Sequence, residues 1–237
     1  MLPAQKHLRK FASKSRAKAM LPFYKTGVGQ YGEGDKFLGI SVPTVRAVAK
    51  NYRDLSLEQL RVILESPLHE ERLMALVIVN FQYAKARGNQ KLKQKIFNFY
   101  LKNRRAINNW DLVDVSAPLI PGDFFLITGN TKRLWTLAKS KRHWDRRIAM
   151  LSTFAFIRKG ELDLVWKMAK LFLNDKEDLM HKATGWMLRE AGKRDVKALR
   201  TFISLHGTRM PRTMLRYSIE KLSPQERSKI LQSTKRQ

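Results

Sequence analysis

The chain has 237 residues, with 47 Lys and Arg against 20 Asp and Glu, a formal net charge of +27 and no cysteine. The missing cysteines exclude disulfides, zinc fingers and iron–sulfur clusters. An apolar share of 43% is enough for a core and excludes a disordered basic tail, while the one-signed charge calls for a polyanionic partner: nucleic acid, an anionic membrane surface or an acidic protein.

In chain order, the first twenty residues are rich in Lys, Arg and Ser, lack the apolar stretch of a secretory signal, and read as a first helix. Gly27 to Gly34 break the pattern. Ser41 ahead of Val42-Pro43 marks a helix start, because proline is tolerated in the first turn. Ser56 with Gln59 three residues on resembles a capping box, and Leu60, Ile63 and Leu64 follow on one face. Ser66-Pro67 predicts the next start, before Leu73, Leu76, Val77 and Val79. Further breaks fall at Gly88-Asn89, Pro118 to Gly122, Gly129-Asn130 and Gly160. Leu162, Val165, Trp166, Ala169 and Leu173 form another stripe, with breaks at Asp175, Gly192 and Gly207 and a last start at Ser223-Pro224.

Apolar spacing of three and four prevails, with no sustained alternation of period two and no run of about 18 apolar residues. The expected class is all-α, with roughly ten to twelve helices joined by short turns. Helix pairs recur at roughly 35 to 45 residues, which suits a HEAT-like α-α superhelix; a globular helical bundle has the same pattern. No linker tract divides the chain, so a single domain over 1–237 is expected, with a flexible tail at about 233–237. Stacked helix pairs would curve and offer a concave basic surface to a polyanion.

Several basic runs interleave with aromatics. The densest holds Lys139, Lys141, Arg142, Trp144, Arg146 and Arg147; later come Lys182, Arg189, Lys193 and Arg194, then Arg209, Arg212 and Arg216. Lys141, Arg146, Lys182, Arg189, Arg212 and Arg216 are the candidate phosphate contacts; for any one of them taken singly the plainer reading is a solvated surface charge, since contacts come from only one face. Trp110 and Asp114 are four apart, on one helical face. A carboxylate on a surface that binds a polyanion repels phosphate, so either it acts chemically or Asp111 and Asp114 are both acids near a helix start. Trp186 follows Thr184 and Gly185, which leave room beside its indole, whereas Trp135 and Trp166 lie in apolar stripes as core residues. His69-Glu70 begins no HExxH, since Leu73 stands where the second histidine would, and neither GxxxxGK[ST] nor GxGxxG occurs. No metal and no cofactor are expected.

Four blocks in order carry a resemblance: Tyr31-Gly-Glu-Gly-Asp-Lys-Phe-Leu-Gly-Ile-Ser-Val-Pro43, Asn109-Trp-Asp-Leu-Val-Asp114, Trp144-Asp-Arg-Arg147-Ile-Ala, and Lys182-Ala-Thr-Gly-Trp-Met-Leu-Arg-Glu190. Together they resemble the AlkD-type DNA alkylation repair family, a HEAT-like-repeat class of DNA glycosylases, over about residues 20 to 220. The resemblance implies a catalytic Asp114, cleft tryptophans Trp110 and Trp186, and Arg147 bracing the backbone near the lesion. It implies hydrolysis of the N-glycosidic bond of N3- or N7-alkylated purines in double-stranded DNA, without base flipping or strand-cleaving lyase activity. The N-terminal region departs more from the family pattern, with a Gly-rich stretch around Gly29 to Gly34 and Ser41-Val42 ahead of Pro43. A monomer is expected, in the cytoplasm and on the nucleoid if bacterial, with no membrane partner. The alternative is a non-catalytic helical repeat protein that binds DNA structure or RNA.

Overall fold

The structure is a computed structural model and describes residues 1–234. Among these the chain is all-α, as expected; the one β feature is an isolated bridge between Lys36 and Leu68. The chain packs as two compact units, Met1–Phe124 and from Phe125 onward.

The first unit holds α1 (Pro3–Arg9), α2 (Lys14–Phe23), α3 (Val42–Lys50), α4 (Leu57–Leu64), α5 (His69–Lys85), α6 (Gln90–Lys102) and α7 (Trp110–Ser116). Helix α5 is its axis, with α3, α4, α6 and α7 all packed on it. Its stretch from Leu73 to Val79 is buried on every side, which is why a long apolar run rather than a stripe encodes it. The chain passes between units within α8 (Pro121–Thr128). The second unit continues with α9 (Lys132–Ala138), α10 (His143–Lys159), α11 (Asp163–Leu171), α12 (Asp178–Gly192), α13 (Val196–His206), α14 (Arg212–Ser218) and α15 (Pro224–Ser233). Helix α12 packs on α10, α11, α13 and α14. The core there joins Ala169, Leu188, Phe202, Ile203 and Met214, with Trp166 packed against it.

Most helix starts follow the sequence signals. Ser41, Ser56 and Ser223 cap α3, α4 and α15, each accepting a hydrogen bond from a backbone N–H three residues on, and Ser56 and Gln59 form the reciprocal box. Ser66-Pro67 is different. Helix α5 begins at His69, because the segment before it is held by the bridge at Lys36 and by the His69 N–H donating to the Lys36 carbonyl at 2.8 Å. Four of the helices, α1, α7, α9 and α14, have only seven residues each, too short for periodicity to separate from turns. The tail expected to be flexible lies partly outside the described residues; Ser233 closes α15, and Thr234 is buried, taking a bond from Arg212 at 3.1 Å.

Candidate functional site

Helix α7 presents the first pair of candidates. The Asn109 side chain caps it by accepting from the Trp110 N–H at 2.8 Å. Trp110 and Asp114 then lie one turn apart on its face, both half-buried. Of the two acids weighed as helix-start residues, Asp111 is the one in the first turn; its Oδ1 accepts the Leu112 N–H at 2.9 Å. Asp114 stands a turn further on. The helix is fixed from behind, where Tyr100 and Ser116 share a hydrogen bond at 3.0 Å and Asn80 donates to the Val115 carbonyl at 2.9 Å.

Aromatic rings from the end of α2 and the following loop hold Trp110. Tyr24 stacks on it at 5.4 Å and 15°, and Phe23 meets it edge-on at 5.7 Å and 74°. Tyr24 is buried, whereas Phe23 is 63% exposed although it is a large apolar ring.

Behind these rings lies a buried charged network that sequence reasoning missed. The four residues of the first turn of α5, His69, Glu70, Glu71 and Arg72, are all buried. His69 bridges two carboxylates: Nδ1 lies 3.1 Å from Asp35 and Nε2 lies 2.8 Å from Asp111. The Tyr24 hydroxyl donates to the same Asp111 oxygen at 3.1 Å. Asp35 also receives Asn109 Nδ2 at 2.8 Å and an ion pair from Arg72. Burial alone would depress the imidazole, but the hydrogen bonds and charges of Asp111 and Asp35 outweigh it and raise His69 from 6.5 to about 9. Burial likewise works to raise the Asp35 carboxyl, and the His69 bond, the Arg72 charge and the Asn109 bond together hold it below its ordinary value. Burial and the adjacent Asp111 carboxylate push the Tyr24 hydroxyl well up. Beside this network, Glu70 accepts the N–H groups of Leu38, Gly39 and Ile40 at 2.8–3.1 Å, and Glu71 accepts Gln5 and Arg9 at 2.6 and 2.7 Å. Two acids suit the positive start of a helix. Gly39 has φ +77°, and a Cβ there would lie 2.2 Å from the Ser13 carbonyl, so the approach of this loop to α2 requires glycine. The available signal is four successive charged residues opening an apolar helix; charges there must be paired.

The second unit carries the other candidates. Trp186 on α12 is half-buried, its ring 6.1 Å from Phe154, whose face carries Arg158 at 4.5 Å. Gly185 precedes Trp186 on the same helix. A Cβ there would come within 2.5 Å of the Met214 carbonyl, so its smallness serves the contact of α12 with α14. Arg147 on α10 is 4% exposed and donates to the Leu179 carbonyl at 2.6 Å. Trp144 is buried, and the basic run around it is largely engaged internally. Arg146 grips Asp175 with two nitrogens at 2.6 and 3.1 Å and donates to the Ser140 and Lys141 carbonyls. Arg189 pairs with Glu190 and Glu220, and Lys182 with Asp178 at 2.8 Å. Arg212 binds Thr234 and the Leu231 carbonyl at 3.1 Å each, joining α14 to α15. Lys141 and Arg216 are exposed. Each unit thus groups its own candidates, Trp110 and Asp114 on one helix in the first, and Arg147, Trp186 and the six phosphate candidates around α10, α12 and α14 in the second.

Among the described residues, no helix is long and apolar enough to cross a membrane. No curated protein matches the chain. A solved structure described as a "Predicted DNA alkylation repair enzyme from Enterococcus faecalis" is similar in fold, with a TM-score of 0.68 at 17% identity, covering 90% of this chain and 97% of that one. The family described as DNA alkylation repair enzyme matches residues 4–222. With nearly the whole chain matched, α7 and its aromatic brace included, this basic all-α protein belongs to the DNA alkylation repair enzyme family.

Proposed function

We propose that the protein is a monofunctional DNA glycosylase that hydrolyses the N-glycosidic bond of cationic N3- or N7-alkylated purines in duplex DNA, with Asp114 as its catalytic carboxylate. One observation carries this reading. Asp114 lies one turn from a braced tryptophan, beyond the first turn of α7, in a chain of charge +27 from an alkylation repair family. Asp111 occupies the first turn of α7, and Asp114 lies beyond it.

The chemistry suits the residues. An alkylated purine already carries positive charge and leaves as a neutral base, taking the electron pair of the C1′–N bond, so no general acid is required. Positive charge then develops on the deoxyribose. The Asp114 carboxylate stabilises it and orients the water that adds to C1′, whose proton passes to solvent. The face of Trp110 favours the cationic sugar, and Trp186 is the second cleft tryptophan that the family resemblance implies. Arg147, buried and fixed, acts on the adjacent phosphate as an immobile charge. Lys141 and Arg216 supply exposed charge to the phosphates, and Arg146, Lys182, Arg189 and Arg212 exchange internal partners where they contact DNA. No polar pocket for a purine edge is needed, because the lesion is read from the backbone side without flipping. The protein acts as a monomer without a cofactor, inside the cell where its DNA lies.

Purified protein should release 7-methylguanine from methylated duplex DNA, and Asp114→Asn should abolish most of that release while DNA binding persists. Release no faster than the spontaneous rate by the wild-type protein would overturn the enzyme reading and leave a DNA-binding repair protein.

A further inference from the structure

The two sequence neighbours of Trp110 are both tied to one buried imidazole. Asn109, which caps the Trp110 N–H, gives its Nδ2 to Asp35, and Asp35 receives His69 Nδ1. Asp111, on the other side, receives His69 Nε2. Asp111 also receives the hydroxyl of Tyr24, the ring stacked on Trp110. We infer that His69 is a positioning residue for Trp110: by joining Asp35 to Asp111 it sets the start of α7 and the Tyr24 ring, and through both the plane of the indole. The inference rests on the assignment of Trp110 to the reacting sugar made above.

The surroundings make the link a stiff one. His69 packs between Phe37 at 4.8 Å and Tyr24 at 4.9 Å. The ionisable groups that face it are Asp35 from the loop before α3, Asp111 from α7 and the Tyr24 hydroxyl from the end of α2. Arg72 of its own helix reaches Asp35, and Glu70 turns away to the loop N–H groups. No atom of this set needs to touch DNA. Its effect passes through the ring that does, and misplacing a group near a reacting centre by about 1 Å costs on the order of 100-fold in rate.

The test labels the indole nitrogens with 15N and assigns the Trp110 signal by Trp110→Phe. In the wild-type protein that signal should shift as His69 deprotonates, with a midpoint at about 9. His69→Gln should abolish the transition and displace the signal, with a loss of about 10- to 100-fold in kcat for 7-methylguanine release at unchanged KM. Tyr24→Phe keeps the stacked ring and removes only its tie to Asp111, so it should displace the signal less and in the same direction; it decides the matter if His69→Gln does not fold. A Trp110 signal that ignores the titration, or that keeps its wild-type position in the folded variants, overturns the inference. If the wild-type protein releases no base, the indole signals still decide whether His69 positions Trp110, and only the enzymatic reading falls.

Discussion

The charged state of His69 should make the stability of the protein fall between pH 6.5 and about 9.5. Its pKa is raised by the fold from 6.5 to about 9, and each tenfold gain in proton affinity is worth about 1.4 kcal/mol. A proton held more tightly by the folded state stabilises it fully below 6.5 and is lost as pH rises through about 9. The contribution is therefore roughly 3 kcal/mol, undiminished by solvent because the imidazole is buried. Other histidines do not mask it. His143 and His206 are depressed by burial, so their effect runs the opposite way and is complete by about pH 6.5. Lysine neutralisation, which would relieve self-repulsion at net +27, begins mainly above about pH 10. The assay is urea unfolding at several pH values across this window, for the wild-type protein and for His69→Gln. Slopes are compared rather than absolute stabilities, since the variant also leaves two carboxylates facing each other. A wild-type profile that is flat or rising, or a variant with the same downward slope, would refute the assignment of a protonated bridge between Asp35 and Asp111.

The remaining predictions concern the catalytic acid, the helix contact and the phosphate candidates. Asp114→Asn should lose most base release with binding and melting temperature nearly unchanged; a collapse of stability, read by thermal unfolding, would make Asp114 a structural acid. Gly185→Ala should destabilise the second unit by about 1–3 kcal/mol, because its Cβ would meet the Met214 carbonyl and the Tyr217 Cβ of α14, neither of them the far end of a flexible side chain; calorimetry reads it, and a neutral result would mean that α12 and α14 slide apart easily. Lys141→Ala should lower the slope of log affinity against log salt by about 1, whereas Arg146→Ala should mainly reduce stability, because it strands the buried carboxylate of Asp175.

How much of the fold and the site is legible in the sequence depends on the range of each interaction. Capping is local, and Ser41, Ser56 and Ser223 announce their helices three residues away. Spacing along one helix is also local, so Trp110 and Asp114 can be placed on one face from their numbers alone. The brace is not local. Asp35, His69 and Asp111 are brought together from separated parts of the chain, and the aromatic stack joins residue 24 to residue 110. Residue type hints at it, since the charged turn from His69 to Arg72 runs straight into the apolar stretch from Leu73 to Val79; judged as a metal motif, the same His-Glu pair says nothing, because it lacks a second histidine. The internal partners of the basic residues are just as far off in sequence. Arg146, Arg147 and Arg189, candidates for the DNA backbone, are engaged in the free protein by Asp175, the Leu179 carbonyl and Glu220. A guanidinium has five donors in a planar fork, and a fold that must keep 47 cations together uses some of them as internal struts. Charge count therefore identifies the kind of partner, while the carboxylates decide how the cations divide between struts and contacts. Of the two acids that follow Trp110, Asp111 is bound into the imidazole bridge, and Asp114, one turn along from Trp110 on the same face, is the carboxylate the proposed chemistry uses.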